Sequence, residues 1–210
     1  ILHVYDAGGW EPQIVIENAG AHTTPGQLQF YKSRAGSAGT SGDYIGQIAF
    51  QADDDSSGTN QTFAAMWVVQ DDAADDSKDA SFHFSTMVNN TDTENLTIKG
   101  GNIGIGATSP DEMLHLESGT ADKPVLQIEN TNADNSSGTI KFVKNPTDSS
   151  EADADMLGGI YYYGNDDANN STNYAFTRVK STDVSNGSED GEIDWAVMAN
   201  GSMSYMTFKS

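Results

Sequence analysis

The sequence predicts an all-β protein built from tandem antiparallel β-sandwich or β-prism-like modules joined by a glycine-rich connector. Apolar and polar residues alternate in short runs, and clusters of Gly, Asn, Asp, Ser and Thr separate those runs. The chain also matches itself at an offset of 112 residues, so that Pro12 aligns with Pro124 and Phe30 with Phe142. These observations together predict one β module that occurs twice.

The internal repeat covers most of the chain. Two one-residue deletions in polar loops, where length changes cost little, align Phe63 with Tyr174 and Leu96 with Met206. Other matched pairs are Leu2 and Leu114, Ile16 and Ile128, Gly26 and Gly138, Lys32 and Lys144, and Ile45 and Leu157. The sequence therefore predicts a β module over 1–100, a connector over 101–113 and a second β module over 114–210.

Seven strands are predicted in the first copy from the alternation and the turn residues. Their approximate ranges are 1–5, 12–18, 26–33, 44–52, 62–70, 80–88 and 94–99. Ile48 and Phe50 stay apolar or aromatic in the second copy, as Ile160 and Tyr162, whereas the residues between them change freely. This pattern is typical of a sheet with one buried face.

The connector contains three glycines, Gly101, Gly104 and Gly106, whose spacing is the reverse of the G-x-G-x-x-G of dinucleotide-binding loops. It also contains the sole helix signal, Ser109-Pro110 followed by two acids, which allows one turn at most. The connector therefore has a structural role in this interpretation, with tight bends or close approach of neighbouring chains at its glycines. Its structural residues are Gly101, Asn102, Gly104, Gly106, Ser109 and Pro110.

The run from Gly101 to Leu116, GNIGIGATSPDEMLHL, resembles the G-N-V-G-I-G-T-x-S-P-x-x-x-L-H-V signature of bacteriophage tail-fibre and related virion appendage proteins. Ala107 departs from that signature, in which threonine is usual. The resemblance implies homotrimeric, intertwined β-rich shafts that bind a receptor or act as spacers. It also implies a location in the virion, or otherwise outside the cell.

Charge and composition exclude several classes of function. The chain has 210 residues with 31 acidic and 10 basic groups, a formal net charge of −21. No basic patch can therefore neutralise nucleic-acid phosphates or dock on anionic lipid. Its longest apolar stretch, 63–69, is too short to insert across a membrane. Without cysteine, the chain forms no disulfide or thiolate metal site.

Acidic pairs recur in predicted turns, and calcium is the one cofactor they suggest. The best candidates are Asp54 and Asp55, which recur as Asp166 and Asp167. Calcium binds several carboxylate oxygens, but no pair lies in a spaced calcium-loop motif. Asp is also common in turns for local hydrogen-bonding reasons. Solvated turns and a calcium site both remain open, and no other cofactor is indicated.

Three aromatic residues are candidates for contact with a glycan or with another subunit. Trp67 aligns with Arg178, so its position tolerates a charge, and Tyr161 and Tyr163 replace Ala49 and Gln51 of the first copy. Exposed aromatic rings stack on sugars or anchor subunit interfaces. No G-x-S-x-G nucleophile elbow is present, and no acidic pair stands out among so many, so an enzyme is not predicted.

The sequence thus favours a structural segment of a phage or phage-like fibre that assembles with itself, as a trimer by the family resemblance. Its role would be a spacer or a host-attachment shaft. Two alternatives remain open: an extracellular bacterial or archaeal adhesin or filament module, and a carbohydrate-binding module. The first would differ in its neighbouring segments, and the second would be a monomer with a saccharide-sized groove.

Overall fold

The computed structural model describes residues 14–19, 25–55, 58–147 and 151–210. The chain divides into two compact units, Ile1–Leu126 and Gln127–Ser210. All regular structure in the described residues is β-strand, which confirms the all-β class. The bends at 108–113 take the place of the predicted helical turn. None of the described residues forms a helix that could cross a membrane.

Unit 1 contains one six-stranded sheet in which the strands lie in chain order. Neighbouring strands are antiparallel except for the last pair, β5 and β6, which is parallel. The strands are β1 (Asp43–Asp53), β2 (Asn60–Asp72), β3 (Asp79–Val88), β4 (Thr91–Lys99), β5 (Asn102–Ile105) and β6 (Leu114–Leu116). Because β5 and β6 flank the bends, the predicted connector forms part of this sheet.

Unit 2 contains one antiparallel four-stranded sheet. Its strands are β7 (Met156–Asn165), β8 (Ser171–Asp183), β9 (Asp190–Ala199) and β10 (Ser202–Lys209). A sandwich or prism needs further layers, and the described part of each unit has one sheet only. The described residues of each unit therefore supply none of the remaining layers.

The repeat seen in the sequence is also present in three dimensions. The β1–β2 pair has register shifts at Tyr44/Gly46 and Phe50/Gln51, and the β7–β8 pair has them 112 residues later, at Met156/Gly158 and Tyr162/Tyr163. The β2–β3 and β8–β9 pairs also shift at matching places, near Gln70 and Ser181. Shared bulges indicate that the two copies have the same local strand geometry.

Three of the hairpins have a two-residue turn, and both residues of each turn have a positive φ. They are Asn89-Asn90 before β4, Gly100-Gly101 before β5 and Asn200-Gly201 before β10. This is the type I′ geometry that matches the twist of paired strands, and Asn and Gly tolerate it best. The sequence thus fixes these registers locally.

Two predicted strands are not formed. Residues 14–18 and 26–33 make no strand in the structure, so the predictions for 12–18 and 26–33 are wrong there; residues 1–5 and 12–13 lie outside the described residues. Alternating apolar residues are present, but none of the described strands pairs with them. The predicted strands at 44–52, 62–70, 80–88 and 94–99 are confirmed as β1 to β4.

Candidate functional site

Unit 1 has one strongly apolar sheet face, and it is open. Two rows of cross-strand partners define this face: Gly46, Val68, Phe82, Ile98, Ile103 and Leu114, and Ile48, Met66, Phe84, Leu96, Ile105 and Leu116. Ile103 is 40% exposed and Leu114 is 56% exposed. The residues expected to face inward do share one face, but the described residues of unit 1 leave much of it uncovered.

Unit 2 presents an equivalent apolar face. Its rows are Gly158, Val179, Ile193 and Phe208, and Ile160, Thr177, Trp195 and Met206. Trp195 and Phe208 contact each other edge to face, with ring centroids 5.3 Å apart. Both rings are nevertheless about half exposed. Contiguous apolar patches of this kind mark interaction surfaces in soluble proteins.

A phenylalanine partly covers each apolar face at the same place. A Cβ added to Gly46 would lie 2.5 Å from the Cβ of Phe30. A Cβ added to Gly158 would lie 2.6 Å from the Cβ of Phe142. Glycine is required at both positions because any Cβ would overlap the ring. Beside each ring is a groove, of about 310 Å³ in unit 1 and about 430 Å³ in unit 2, lined mainly by apolar residues.

The opposite face of unit 1 carries a hydrogen-bonded chain. His83 contacts Glu94 through Nδ1 and Ser81 through Nε2, both at 2.7 Å, and stacks on Trp67 with ring centroids 5.2 Å apart. Thr97 donates to the same Glu94 carboxylate. The order Ser, His, Glu is that of a hydrolase triad. Ser81, however, is 2% exposed in mid-sheet, so a substrate carbonyl cannot reach its hydroxyl.

The polar face of unit 2 carries an ion-pair network at the equivalent positions. Arg178 Nε lies 3.0 Å from an Asp194 oxygen, and Thr207 donates to the other oxygen. Glu192 pairs with Lys180 at 2.6 Å and with Lys209 at 2.5 Å. The hydrogen bond from Thr207 lowers the pKa of Asp194, and the two lysines lower the pKa of Glu192.

The aromatic candidates all lie on these polar faces. The ring centroids of Tyr161 and Phe176 lie 5.6 Å apart, and Arg178 Cζ lies 4.9 Å from the centroid of the Phe176 ring. Tyr161 and Tyr163 are 45% and 65% exposed. Trp67 is half-buried against His83, so one face of its ring is already occupied. The structure brings Tyr161 and Tyr163 onto one strand and keeps Trp67 in the other unit.

The connector residues make a tight bend between β5 and β6. Asn102 Nδ2 donates to the Pro110 carbonyl at 3.0 Å, and Pro110 is buried. A side chain on Gly104 would begin 2.1 Å from the Ala107 carbonyl oxygen. Gly106 has a φ of 76° and would meet the Glu117 carbonyl oxygen at 2.2 Å. Gly101 lies in the preceding turn, and Ser109 is exposed.

The acidic candidates lie in turns. Asp166 accepts the backbone N–H groups of Ala168 and Asn170, at 2.9 and 2.8 Å, and these bonds lower its pKa. The backbone N–H of Asp54 donates to the Thr59 carbonyl at 3.0 Å across the equivalent β1–β2 turn. Asp55 and Asp167 lie exposed beside them. Among the described residues, no group of three or more acids and histidines is placed to hold a metal ion.

Sequence reasoning missed the two polar-face networks. Their signal was in the repeat alignment, where Trp67 and His83 of the first copy become Arg178 and Asp194 of the second. Trp67 and His83 are cross-strand neighbours that stack, and Arg178 and Asp194 are cross-strand neighbours that form an ion pair. One favourable cross-strand pair therefore replaces another. Covariation between the two copies could therefore have identified the contact.

Comparison with known proteins shows similarity in fold alone. No protein-family model matches the chain, and no curated protein matches it in sequence. A solved structure of the carboxy-terminal domain of the bacteriophage T5 L-shaped tail fibre has a TM-score of 0.65 and 10% identity, over 94% of this chain and 86% of that chain. The same domain with its intra-molecular chaperone domain also gives a TM-score of 0.65 at 10% identity, over 93% of this chain and 59% of the longer one.

Proposed function

We propose that this chain is a structural segment of a phage or phage-like fibre, assembled as a homotrimer in the virion, where it acts as a spacer or host-attachment shaft. The likeness in fold to the T5 fibre domain and the fibre-like signature in the connector both support this proposal. The role is mechanical, and the β units would resist bending and extension. No catalytic step is part of it.

The proposal rests on the solvent-accessible surface area of the chain. This area is 16472 Å². One compact domain of its mass would expose about 9,400 Å², and two domains of half that mass about 11,400 Å² in total. The buried apolar residues in the described part are Ala65, Ala107, Phe176, Ala196 and, in the connector, Pro110. A chain with so small a core needs other copies to cover its apolar faces.

The distribution of charge determines which faces can meet. With a net charge of −21, copies repel one another unless they associate through uncharged surfaces. The apolar rows of both sheets carry no ionisable side chain, whereas the opposite face of unit 2 carries Arg178, Lys180, Glu192 and Asp194. In the proposed trimer the apolar faces therefore turn inward and the polar faces outward.

The solution mass, measured by light scattering after size exclusion, tests the assembly. We expect three times the 22.4 kDa of one chain. Ile48→Asp buries a charge in the proposed interface and should give single chains. Gln47→Asp, the adjacent residue on the opposite face of β1, is the matched control and should keep the wild-type mass. A wild-type mass of one chain would contradict the proposal.

A carbohydrate-binding module is the second candidate, because Tyr161 and Tyr163 are exposed on a face that stays outside in any such assembly. An extracellular adhesin or filament module is the third, and it would assemble in the same way. A monomer that binds saccharides through Tyr161 would favour the second candidate. Assembly without association with virus particles would favour the third.

A further inference from the structure

Two asparagines of unit 2 are each followed by glycine and then serine. They are Asn186 and Asn200, and both are exposed. An asparagine before a glycine is chemically labile, because the main-chain nitrogen of the glycine can attack the side-chain amide carbon with no Cβ to obstruct it. Since Asn-Gly-Ser is present at both sites, a large difference in their reactivity in the folded protein must come from the structure.

Asn200 is held in a hairpin. It is the first residue of the type I′ turn between β9 and β10, with φ angles of 50° at Asn200 and 76° at Gly201. The Ala199–Ser202 pair closes this turn, and the antiparallel register continues without a shift through β10. The attack requires the Asn200–Gly201 peptide to rotate toward the side chain. That rotation has to open the paired strands, which costs free energy.

Asn186 is less restrained, because it lies in the loop 184–189 between β8 and β9. The turn around it is closed by a hydrogen bond from Ser188 N to the Ser185 carbonyl, at 2.9 Å. The Asn186 side chain makes no hydrogen bond to any described residue. A Cβ added to Gly187 would have nothing within 4 Å. The side-chain amide and the Gly187 nitrogen therefore have room to approach each other without the opening of a strand pair.

Glu189 places a proton acceptor at the nitrogen that attacks. The Gly187 N–H donates to Glu189 Oε1 at 3.1 Å. This hydrogen bond lowers the pKa of Glu189, so its carboxylate is ionised at neutral pH and can take up a proton. A base within about 2.6–3.2 Å of the group that it deprotonates is placed for general base catalysis. In the described residues, no carboxylate accepts the N–H of Gly201.

We propose that Asn186 is a site of spontaneous deamidation, with Glu189 as the base. The Gly187 nitrogen forms a bond to Asn186 Cγ, and its proton passes through the Glu189 carboxylate to the side-chain nitrogen. The bond from Cγ to that nitrogen breaks, and ammonia leaves. Water then opens the cyclic imide at either of its carbonyl carbons, which gives aspartate or β-linked aspartate. Each event adds one negative charge to the loop.

The first copy of the module indicates that the fold tolerates an aspartate at this position. Asn186 aligns with Asp75 in the repeat, so the equivalent loop of unit 1 already carries the product residue. The turn there is closed in the same way, by a hydrogen bond from Ser77 N to the Ala74 carbonyl at 3.4 Å. Conversion of Asn186 to aspartate therefore adds charge to unit 2 with age and leaves the turn in place.

Tryptic peptide mapping by mass spectrometry, after incubation of the folded protein at neutral pH, tests the site. Both asparagines fall in one tryptic fragment, 181–209, so they are compared within a single peptide. We expect Asn186 to convert roughly tenfold or more faster than Asn200, whose reaction must first open the hairpin. In chain unfolded by urea, the two should convert at similar rates. Equal rates in the folded protein, or a faster reaction at Asn200, would overturn the proposal.

The variant Glu189→Gln tests the base. Its neutral amide does not take up the proton at neutral pH, so the conversion of Asn186 in the folded protein should slow severalfold, while that of Asn200 stays the same. Glu112→Gln makes the same substitution at an exposed glutamate of unit 1 and should convert Asn186 at the wild-type rate. Circular dichroism checks that both variants are folded. An unchanged rate at Asn186 in Glu189→Gln would overturn the role of Glu189.

Discussion

Gly104 shows how closely the chain approaches itself in the bend after β5. Its position is buried, and a side chain there would begin 2.1 Å from a backbone oxygen of Ala107. Backbone atoms cannot move aside as cheaply as the end of a flexible side chain. The glycine is therefore needed for space and not for a positive φ.

We expect Gly104→Val to lower the free energy of unfolding of unit 1 by about 1–3 kcal/mol or more, the usual cost of overpacking. Gly119→Val is the matched control, because Gly119 has open space around its position and no positive φ. Thermal unfolding followed by circular dichroism measures both variants. Equal melting temperatures would show that the bend adapts to a side chain.

The carboxylates of Asp194 and Glu192 make the free energy of unfolding of unit 2 depend on pH in the acidic range. Hydrogen bonds from Thr207 and from the two lysines lower their pKa values in the folded state. Groups with a lowered folded pKa stabilise the fold above the unfolded pKa, about 3.9 for Asp and 4.3 for Glu, and this contribution is lost as pH falls through the folded pKa.

We therefore expect the melting temperature of the wild type to fall as pH drops below about 4. Asp194→Asn should melt at a lower temperature than the wild type at pH 7 and should show a flatter decline in acid. Asp167→Asn makes the same substitution at an exposed aspartate, and its melting temperature should follow the wild-type curve. Calorimetry across this pH range measures the three profiles, and parallel curves for Asp194→Asn and the wild type would refute the assignment.

At the scale of the strand, the sequence predicts those strands and turns that depend only on residues close together in the chain. Strands β1 to β4 follow from alternation, and the type I′ turns follow from Asn and Gly pairs such as Asn200-Gly201. Residues 14–18 and 26–33 have the same alternation but form no strand in the structure. Alternation reports which residues share a face, and it carries no information about which chain supplies the partner.

The polar faces were harder to predict for a different reason. His83 reaches Ser81 within β3 but Glu94 only across to β4, in a register that a bulge between Phe84 and Ser85 shifts. A single sequence does not specify where a bulge falls. Among the connector glycines, Gly104 and Gly106 lie against backbone oxygens of the same chain, whereas Gly101 has open space around it.

The turn at Asp166 bears on the possible calcium site. One of its carboxylate oxygens already accepts the N–H groups of Ala168 and Asn170. We expect neither millimolar calcium nor EDTA to change the melting temperature, because the carboxylate is engaged in the turn and few other ligands converge there. Differential scanning fluorimetry measures this, with Asp166→Ala as the variant that should destabilise the turn in either buffer. A clear rise in the melting temperature with calcium would instead support a metal site at these acids.

At the scale of the whole molecule, the proposed assembly would link folding to association. If copies supply the missing layers, unfolding releases separate chains, and mass action makes the folded state more stable at higher protein concentration. We expect the melting temperature of the wild type to rise by several degrees over a roughly hundredfold increase in concentration. Calorimetry at each concentration measures it.

The control for this prediction is Ile48→Asp, whose melting temperature should be low and independent of concentration, because its apolar face no longer accepts another copy. Gln47→Asp should behave as the wild type, since its added charge lies on the polar face of the same strand. A wild-type melting temperature that does not change with concentration would mean that each chain folds as a single copy with its apolar faces uncovered. Its 16472 Å² of accessible surface makes that outcome physically costly, because the exposed rows of Ile, Phe, Trp and Met would then remain in water.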